Sequence, residues 1–163
     1  MRIARCTLKG RSGHDAGREL LARLYREETG EALPDIAVTN QGKPYFPGSS
    51  LHFSISHTPD HAFCALSQHP VGIDAEELTR NINLKLADKI LSAAEKEQYD
   101  AAPDKGRALL TFWVLKEAAV KLTGEGLRGY PNHTNFSLED PRVTQIDGCL
   151  VAVLEEKGED HAF

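Results

Sequence analysis

Four charged side chains in two short stretches of the chain could hold a divalent cation against a phosphate. Asp74 and Glu76 stand two residues apart in the apolar stretch VGIDAE. Glu117 and Lys121 stand four residues apart in WVLKEAAVK, on the same helical stripe as Trp113. If the two stretches meet in the fold, three carboxylates and an ammonium share one pocket, and carboxylate oxygens are the ligands that hard cations prefer.

The carboxylates of Asp74 and Glu76 point to the same side if the first stretch is a strand, because side chains alternate along a strand. Beside Val71 and Ile73, the two charges would repel each other and lose hydration unless a cation neutralised them. The alternative is a strand that ends at the surface, with Glu77 continuing a solvated acidic run. The pattern alone leaves both interpretations open.

Glu117 and Lys121 also have two interpretations. They form an i, i+4 pair in the favourable order, which on an exposed helix face contributes only a few tenths of a kcal/mol. Alternatively, Glu117 is a third cation ligand or a general base and Lys121 faces a phosphate. Lys116, next to Glu117 in the sequence, would contact the same ligand or only solvent.

Ser56 and His57 end a predicted strand just before a turn, where they could donate to a phosphate oxygen, or form an ordinary polar strand end. A serine-hydrolase role for Ser56 is disfavoured, because no GxSxG motif surrounds it. Lys43, in the loop sequence GKP, is a cation that means little by itself.

The composition is that of one globular domain of 163 residues, with 40% hydrophobic and 26% charged residues. The net charge of -5 disfavours a general nucleic-acid binder, which normally has a basic face. No apolar run approaches the roughly 20 residues that span a membrane, and no signal-peptide pattern follows Met1. We therefore expect a cytoplasmic protein with no membrane partner, whose three cysteines are unpaired thiols.

Periodicity predicts an α+β fold that repeats a helix followed by strands, with the divide near residues 68–70 and halves of about 1–69 and 70–163. Ser92, with Glu95 three residues later, could cap a second segment of the helix over 80–101. An Asp147-Gly148 turn is expected between the last two strands. The predicted strands cover 2–8, 36–39, 51–57, 61–67, 71–76, 136–138 and 149–154, and the helices 15–28, 80–101 and 104–122.

Four motifs, in the order GKP, FSISH, GIDAE and WVLKEAAVKLTGEGL, span residues 42–127. In this order and spacing the chain resembles the 4'-phosphopantetheinyl transferase family, of the surfactin-synthetase-activating type. The resemblance implies transfer of the phosphopantetheine arm of coenzyme A to a serine of an acyl or peptidyl carrier protein, with release of 3',5'-ADP. It also implies two similar α+β halves packed as a pseudodimer within a monomer.

The resemblance implies a role for each motif residue. Mg2+, or Mn2+, would be bound by Asp74, Glu76 and Glu117. Glu117 would also be the general base, and Lys121 would steady the pyrophosphate. The expected coenzyme A contacts are Ser56, His57, Lys116, Lys43 at the 3'-phosphate, and Arg11, whose surroundings match the family poorly.

Two alternatives and one docking hypothesis follow. The same carboxylates could serve another metal-dependent phosphoryl-transfer enzyme or hydrolase, or the chain could bind coenzyme A or a carrier without transfer. Since carrier proteins are typically acidic, we expect a docking face of basic and apolar residues after the GIDAE strand: Arg80, Lys85, Lys89 and Lys96 with Leu84, Leu86 and Ile90.

Overall fold

A computed structural model describes residues 1–125 and 135–157 of the chain. The predicted α+β class is confirmed. The elements are β1 (Arg2–Thr7), α1 (Gly13–Thr29), β2 (Ala37–Val38), β3 (Pro44–Tyr45), β4 (His52–His57), β5 (His61–Ser67), β6 (Val71–Glu77), a 3-10 turn (Leu84–Leu86), α2 (Ala87–Ile90), α3 (Ala93–Ala101), α4 (Lys105–Thr123), β7 (Val143–Ile146) and β8 (Cys149–Glu155).

Two three-stranded antiparallel sheets form the centre of the described structure, and their strand orders correspond. The first sheet has the order β1-β5-β4 and the second has the order β6-β8-β7. In each sheet the strand latest in the sequence lies in the middle, paired with the first strand and with its hairpin partner. A long helix, α1 or α4, follows the first strand of each set.

The alternation of side chains along the strands divides the core into three clusters. One face of the first sheet packs against α1, and one face of the second sheet packs against α4. The remaining faces pack against each other through Phe63 and Ala65 of β5 and Val71, Ile73 and Val151 of the second sheet. The layers therefore run helix, sheet, sheet, helix.

Gly72 of β6 sets how closely α4 approaches the second sheet. A Cβ atom added at Gly72 would lie 2.0 Å from the carbonyl oxygen of Ala118 and 2.6 Å from the amide nitrogen of Leu122. Both are backbone atoms of α4, so they cannot move aside as a flexible side chain would. The absence of a side chain at Gly72 therefore brings α4 directly onto the strand that carries Asp74.

The helix predicted over 80–101 is broken near residues 91–92, as the predicted cap at Ser92 requires, but its first segment is shorter than expected. Residues after β6 form the short 3-10 turn and α2, and the chain is extended at Leu91 before α3 begins. The predicted cap is confirmed, since Ser92 and Glu95 form a reciprocal capping box. The break exists because Ser92 takes extended backbone angles in order to cap α3.

The end of the chain contains one wrong strand prediction and one missed strand. Phe136–Leu138 is not a strand, because its backbone N–H groups donate to the side chains of Glu95 and Gln98 instead of to a neighbouring strand. The missed strand is β7, which pairs with β8. The predicted turn between them is confirmed: Asp147 and Gly148 have φ angles of 50° and 76°, as a two-residue hairpin turn requires.

Lys116 and Glu95 form an ion pair in the interior, with side chains 2% and 0% exposed and an N–O distance of 2.6 Å. Glu95 also accepts from the backbone N–H groups of Ser92 and Phe136. The predicted contact between Lys116 and coenzyme A does not fit this position, because the ammonium is enclosed and bonded to Glu95. The pair instead ties α3, α4 and the 136–138 segment together.

Replacing Gly72 with Ala is expected to lower the free energy of unfolding by about 2–3 kcal/mol, because the added methyl overlaps the α4 backbone. Gly106→Ala is the matched control. Its Cβ meets only the Asp104 side chain at 3.6 Å, and Ala is the better helix former by about 1 kcal/mol. Urea unfolding measures both, and equal stability of G72A and the wild type would contradict the close packing.

Lys116→Met is expected to lower the free energy of unfolding by about 3–5 kcal/mol, because Glu95 keeps a buried charge with no cation. Adding Glu95→Gln should recover part of this loss by removing the stranded charge. Lys96→Met, which breaks a surface pair with Asp100, should change stability by less than about 1 kcal/mol. Similar effects of K116M and K96M in urea unfolding would contradict a buried pair.

Candidate active site

The strands β4 and β6 lie side by side as edges of their two sheets, and serine side chains join them. The Ser54 hydroxyl accepts from the backbone N–H of Ile73 at 3.0 Å, and the Ser56 hydroxyl accepts from that of Ala75 at 3.1 Å. Both serines are buried. We call this junction of β4 and β6 the seam.

Lys121 reaches from α4 into the seam and bonds to both strands. Its ammonium donates to the carboxylate Oδ1 of Asp74 at 2.9 Å and to the carbonyl of Ile73 at 3.1 Å, both on β6. It also donates to the carbonyl of Ile55 on β4 at 3.4 Å. The sequence prediction that the GIDAE and WVLKEAAVK stretches meet is therefore confirmed at this point.

Asp74 is buried, and its two carboxylate oxygens have different surroundings. Oδ1 accepts from Lys121 and, at 3.4 Å, from the Ser56 hydroxyl. Oδ2 is also buried but has no hydrogen-bond partner among the described residues. Since buried polar oxygens are nearly always paired, an orphaned carboxylate oxygen indicates a place for a ligand that the protein itself does not supply.

Burial raises the pKa of Asp74 to about 6, against the opposing effect of Lys121. The nearby charges of Glu117 and Glu76 also raise this pKa. The carboxyl group is consequently ionised in most molecules at neutral pH and loses that charge as the pH falls through about 6. A cation at the site would have to compete with protons in this range.

Glu117 is half-buried and interacts electrostatically with the other two carboxylates. Desolvation raises its pKa, with Lys121 opposing, while Glu76 raises it further and Arg80 lowers it. The structure thus brings Asp74, Glu76 and Glu117 into one neighbourhood. Lys121 is the cation nearest to the deepest of them.

Glu76 is held by two donors from other elements. Its Oε1 accepts from the guanidinium of Arg80 and, at 3.2 Å, from the indole N–H of Trp113. The Arg80 guanidinium also lies 5.2 Å from the centre of the Trp113 ring. Trp113, Glu117 and Lys121 therefore all face the β6 side, but Glu76 is drawn toward Arg80.

Over residues 1–125 and 135–157, no three His, Cys, Asp or Glu side chains are already arranged as metal ligands.

Ser56 is less accessible than predicted, whereas His57 lies exposed at the end of β4. Ser56 is enclosed in the seam, where its hydroxyl bonds to Ala75 and Asp74, so it is not an open donor for a phosphate. The reason is that Ser54 and Ser56 share the face of β4 that meets β6. His57 is exposed, and its ring lies over the first turn of α1, where a Cβ at Gly13 would come within 2.2 Å of it.

Lys43 joins the first half of the chain to the end of α4. Its ammonium donates to the carbonyl of Leu122 at 2.5 Å, a carbonyl in the last turn of the helix, where cations are favoured. Burial lowers the pKa of Lys43, with Glu156 opposing. A cleft of about 260 Å³ lies between Lys43 and Lys121, and it is lined by Gln41–Pro44, Phe53–Ile55, Val120, Lys121 and Gly124.

Two further features lie apart from the seam. Arg11 donates to the carbonyls of Thr7 and Leu8 and to the carboxylate of Glu19, all near the start of α1. A larger cleft of about 500 Å³ lies between the start of α4 and β7. Its lining contains none of the predicted site residues.

The sequence analysis missed three contributors to the site. Ser54 appeared only as one letter of the FSISH motif, and Arg80 only as a docking residue. The indole N–H of Trp113 was not assigned a partner. Arg80 stands four residues after Glu76, but that spacing favours ion pairs within a helix, and Glu76 lies in the strand β6, so the sequence carried no clear signal for this pair.

Comparisons with known proteins identify the family. The sequence pattern of the 4'-phosphopantetheinyl transferase superfamily matches residues 70–157. The chain is 37% identical over 98 residues to the 4'-phosphopantetheinyl transferase psf-1 of Bacillus pumilus. This matched stretch is 58% of this chain and 42% of the relative. The chain is 35% identical over 88 residues to the 4'-phosphopantetheinyl transferase gsp of Aneurinibacillus migulanus, covering 53% of this chain and 36% of the relative.

A third relative matches a longer stretch. The 4'-phosphopantetheinyl transferase HetI of Nostoc sp. is 32% identical over 124 residues, covering 71% of this chain and 52% of that protein. The chain thus spans about half the length, or less, of these curated relatives. No helix among the described residues is long and apolar enough to cross a membrane. The match of the superfamily pattern over more than half of the chain, with its acidic and lysine motifs meeting at one seam, shows that the chain belongs to the 4'-phosphopantetheinyl transferase superfamily.

Proposed function

We propose that the chain transfers the 4'-phosphopantetheine arm of coenzyme A to a serine of an apo carrier protein and releases 3',5'-ADP. The observation that carries this proposal is the meeting of Asp74, Glu117 and Lys121 at the seam, beside a cleft bounded by two lysines. Carboxylates next to a cleft that is lined by two lysines suit a pyrophosphate substrate together with a cation. The names of the relatives support the same reaction.

The residues at the seam fit a hard divalent cation, Mg2+ or Mn2+. The orphaned Oδ2 of Asp74 and the crowding of Glu117 and Glu76, which raises the pKa of Asp74, are what a cation would relieve. Asp74, Glu117 and Glu76 would hold it, the last by giving up Arg80. When bound, the cation would neutralise pyrophosphate charge and stabilise the leaving 3',5'-ADP.

Glu117 is the proposed general base. It is half-buried, so it keeps an open side toward an incoming serine, and its raised pKa makes it a better proton acceptor than an ordinary surface carboxylate. It would accept the proton of the carrier serine hydroxyl directly or through one water. That proton transfer leaves the serine oxygen free to attack the phosphorus of the phosphopantetheine arm.

Coenzyme A is proposed to lie along the cleft between Lys43 and Lys121, with part of the molecule outside it. Lys121 would steady the pyrophosphate. Lys43 would bind a phosphate after giving up its hydrogen bond to the Leu122 carbonyl. The exposed ring of His57 suits a second phosphate contact. Arg11 would contact coenzyme A only if its guanidinium gave up its bond to the Glu19 carboxylate. Ser56 acts through Asp74 and the seam.

One chain supplies both strands of the seam, so we propose that the enzyme works as a monomer of two similar halves. The described Cys6, Cys64 and Cys149 are free thiols, which suits a reducing compartment such as the cytoplasm. Nucleic acid has no part in the proposed reaction.

The function is tested by incubating the chain with coenzyme A, Mg2+ and apo carriers of fatty-acid, polyketide and peptide synthesis. We expect mass spectrometry to show that one carrier gains the mass of a phosphopantetheine arm. Glu117→Gln should slow this transfer by about 10²–10⁴-fold, because the general base is lost, while binding of coenzyme A survives. Glu125→Gln, an exposed change just after α4, is the matched control and should retain transfer.

Three outcomes would contradict the proposal. Full transfer by E117Q would reject the general base. If no carrier is modified and simple phosphoesters are hydrolysed, the alternative of a metal-dependent hydrolase is favoured. Binding of coenzyme A or of a carrier without transfer would favour the non-catalytic alternative.

The surface after β6 is the proposed carrier-docking face. Leu84 is 46% exposed, and Lys85 and Lys89 beside it are exposed as well. Lys96, by contrast, is paired with Asp88 and Asp100. Since Arg80 links this face to Glu76, a carrier bound here would have its serine close to the seam.

Reversing the charge of Lys85 and Lys89 to Glu is expected to raise the KM for an acidic carrier about tenfold, because opposite charges steer the encounter. The KM for coenzyme A should not change, since neither lysine lines the cleft. Lys9→Glu, an exposed lysine in the loop before α1, is the control. An unchanged KM for the carrier in K85E/K89E would reject this face.

A further inference from the structure

We propose that Lys121 competes with the divalent cation for Asp74, so that cation binding loosens the tie that Lys121 makes across the seam. This inference rests on the cation site of the proposed function. It assigns Lys121 a role that precedes substrate binding.

The ammonium of Lys121 makes three hydrogen bonds, all of them to other groups of the protein. A lysine ammonium has three N–H donors and no acceptor, and Lys121 has three acceptors at 2.9, 3.1 and 3.4 Å. Two of them are backbone carbonyls, of Ile55 and Ile73, on the two edge strands. Any new partner for Lys121 must therefore replace one of these bonds.

The charge at the site is already largely balanced by protein cations. Lys121 neutralises Asp74 and Arg80 neutralises Glu76, so one negative charge, that of Glu117, remains. A divalent cation adds two positive charges and leaves an excess of one. At a buried carboxylate, like charges are poorly screened, so the cation favours release of one of the two protein cations.

Of the two protein cations, Lys121 is the one that a bound divalent cation would repel more strongly. It sits on Oδ1 of the same carboxylate whose Oδ2 is buried and without a partner among the described residues. Arg80 bonds to Glu76, which is more exposed than Asp74. A cation that takes Oδ2 therefore stands closest to Lys121, in the less hydrated part of the site.

The competition couples the cation to the seam. Linkage requires that if Lys121 weakens cation binding, the cation weakens the bonds of Lys121 by the same factor. Because these bonds include Ile55 on β4, the effect reaches the first half of the chain. Lys121 becomes available to an anion at the step at which the cation arrives.

The test measures Mn2+ binding to the full chain by the loss of the free-ion signal in electron paramagnetic resonance, at pH 8, without coenzyme A or carrier. Lys121→Gln removes the charge but can still donate to a carbonyl of the seam. We expect it to bind Mn2+ about tenfold more tightly than the wild type, within the usual range of coupling between sites. Lys121→Met, which removes the charge and the hydrogen bonds, should do the same.

Three variants serve as comparisons. Lys121→Arg keeps the charge and should bind Mn2+ as the wild type does. Lys43→Met removes the other lysine that joins the two halves without touching Asp74, and its Mn2+ affinity should not change. Arg80→Met should tighten binding less than K121Q does.

A second measurement uses stability. If the cation and Lys121 compete, a fixed Mn2+ concentration should raise the Tm of K121Q more than that of the wild type, because stabilisation by a ligand grows as its Kd falls. K43M should show the wild-type increase. This readout needs no catalysis.

Unchanged or weaker Mn2+ binding by K121Q, or a larger effect in R80M, would overturn the inference. Failure of the wild type to bind Mn2+ would overturn both the inference and the proposed cation site. The mass-spectrometric transfer assay then shows separately whether the proposed function survives. Transfer by the wild type with an unchanged Mn2+ affinity in K121Q would reject only the competition.

Discussion

The junction between the two sheets depends on side chains where a continuous sheet would use its backbone. β4 and β6 are neighbouring edges, yet Ser54, Ser56 and Lys121 provide the hydrogen bonds that join them. Hydroxyl groups satisfy two N–H groups of β6, and the ammonium satisfies one carbonyl of each strand. This arrangement leaves Asp74 inside the junction, where its Oδ2 takes no part in the hydrogen bonds that join the two strands.

The sequence predicted the site where local geometry and chemistry agree. Spacing of four placed Glu117 and Lys121 on one face of α4, and alternation placed Asp74 and Glu76 on one side of β6. Lys116 could not be assigned in this way. One residue along a helix turns the side chain by about 100°, since there are about 3.6 residues per turn, and that rotation takes Lys116 into the core toward Glu95. Ser56 failed for a related reason, because alternation gives a shared face but not what covers it.

Interactions distant in sequence limited the prediction of the fold. The capping box of Ser92 and Glu95 is local and was predicted. The third partner of Glu95, the N–H of Phe136, is 41 residues away, and no pattern near Phe136 shows that a side chain replaces a strand there. β7 was missed because its exposed residues do not alternate clearly, although the Asp147-Gly148 turn indicated a hairpin.

The face-to-face packing of the two sheets has a consequence for how the sequence can change over evolution. Each sheet covers one of its faces with its own helix, and among the described residues the other face packs against the opposite sheet, through Phe63 on one side and Ile73 on the other. A larger or smaller residue at either position alters the volume left for its counterpart. The two sheets are therefore not free to diverge separately, and substitutions between them should be inherited as compensating pairs.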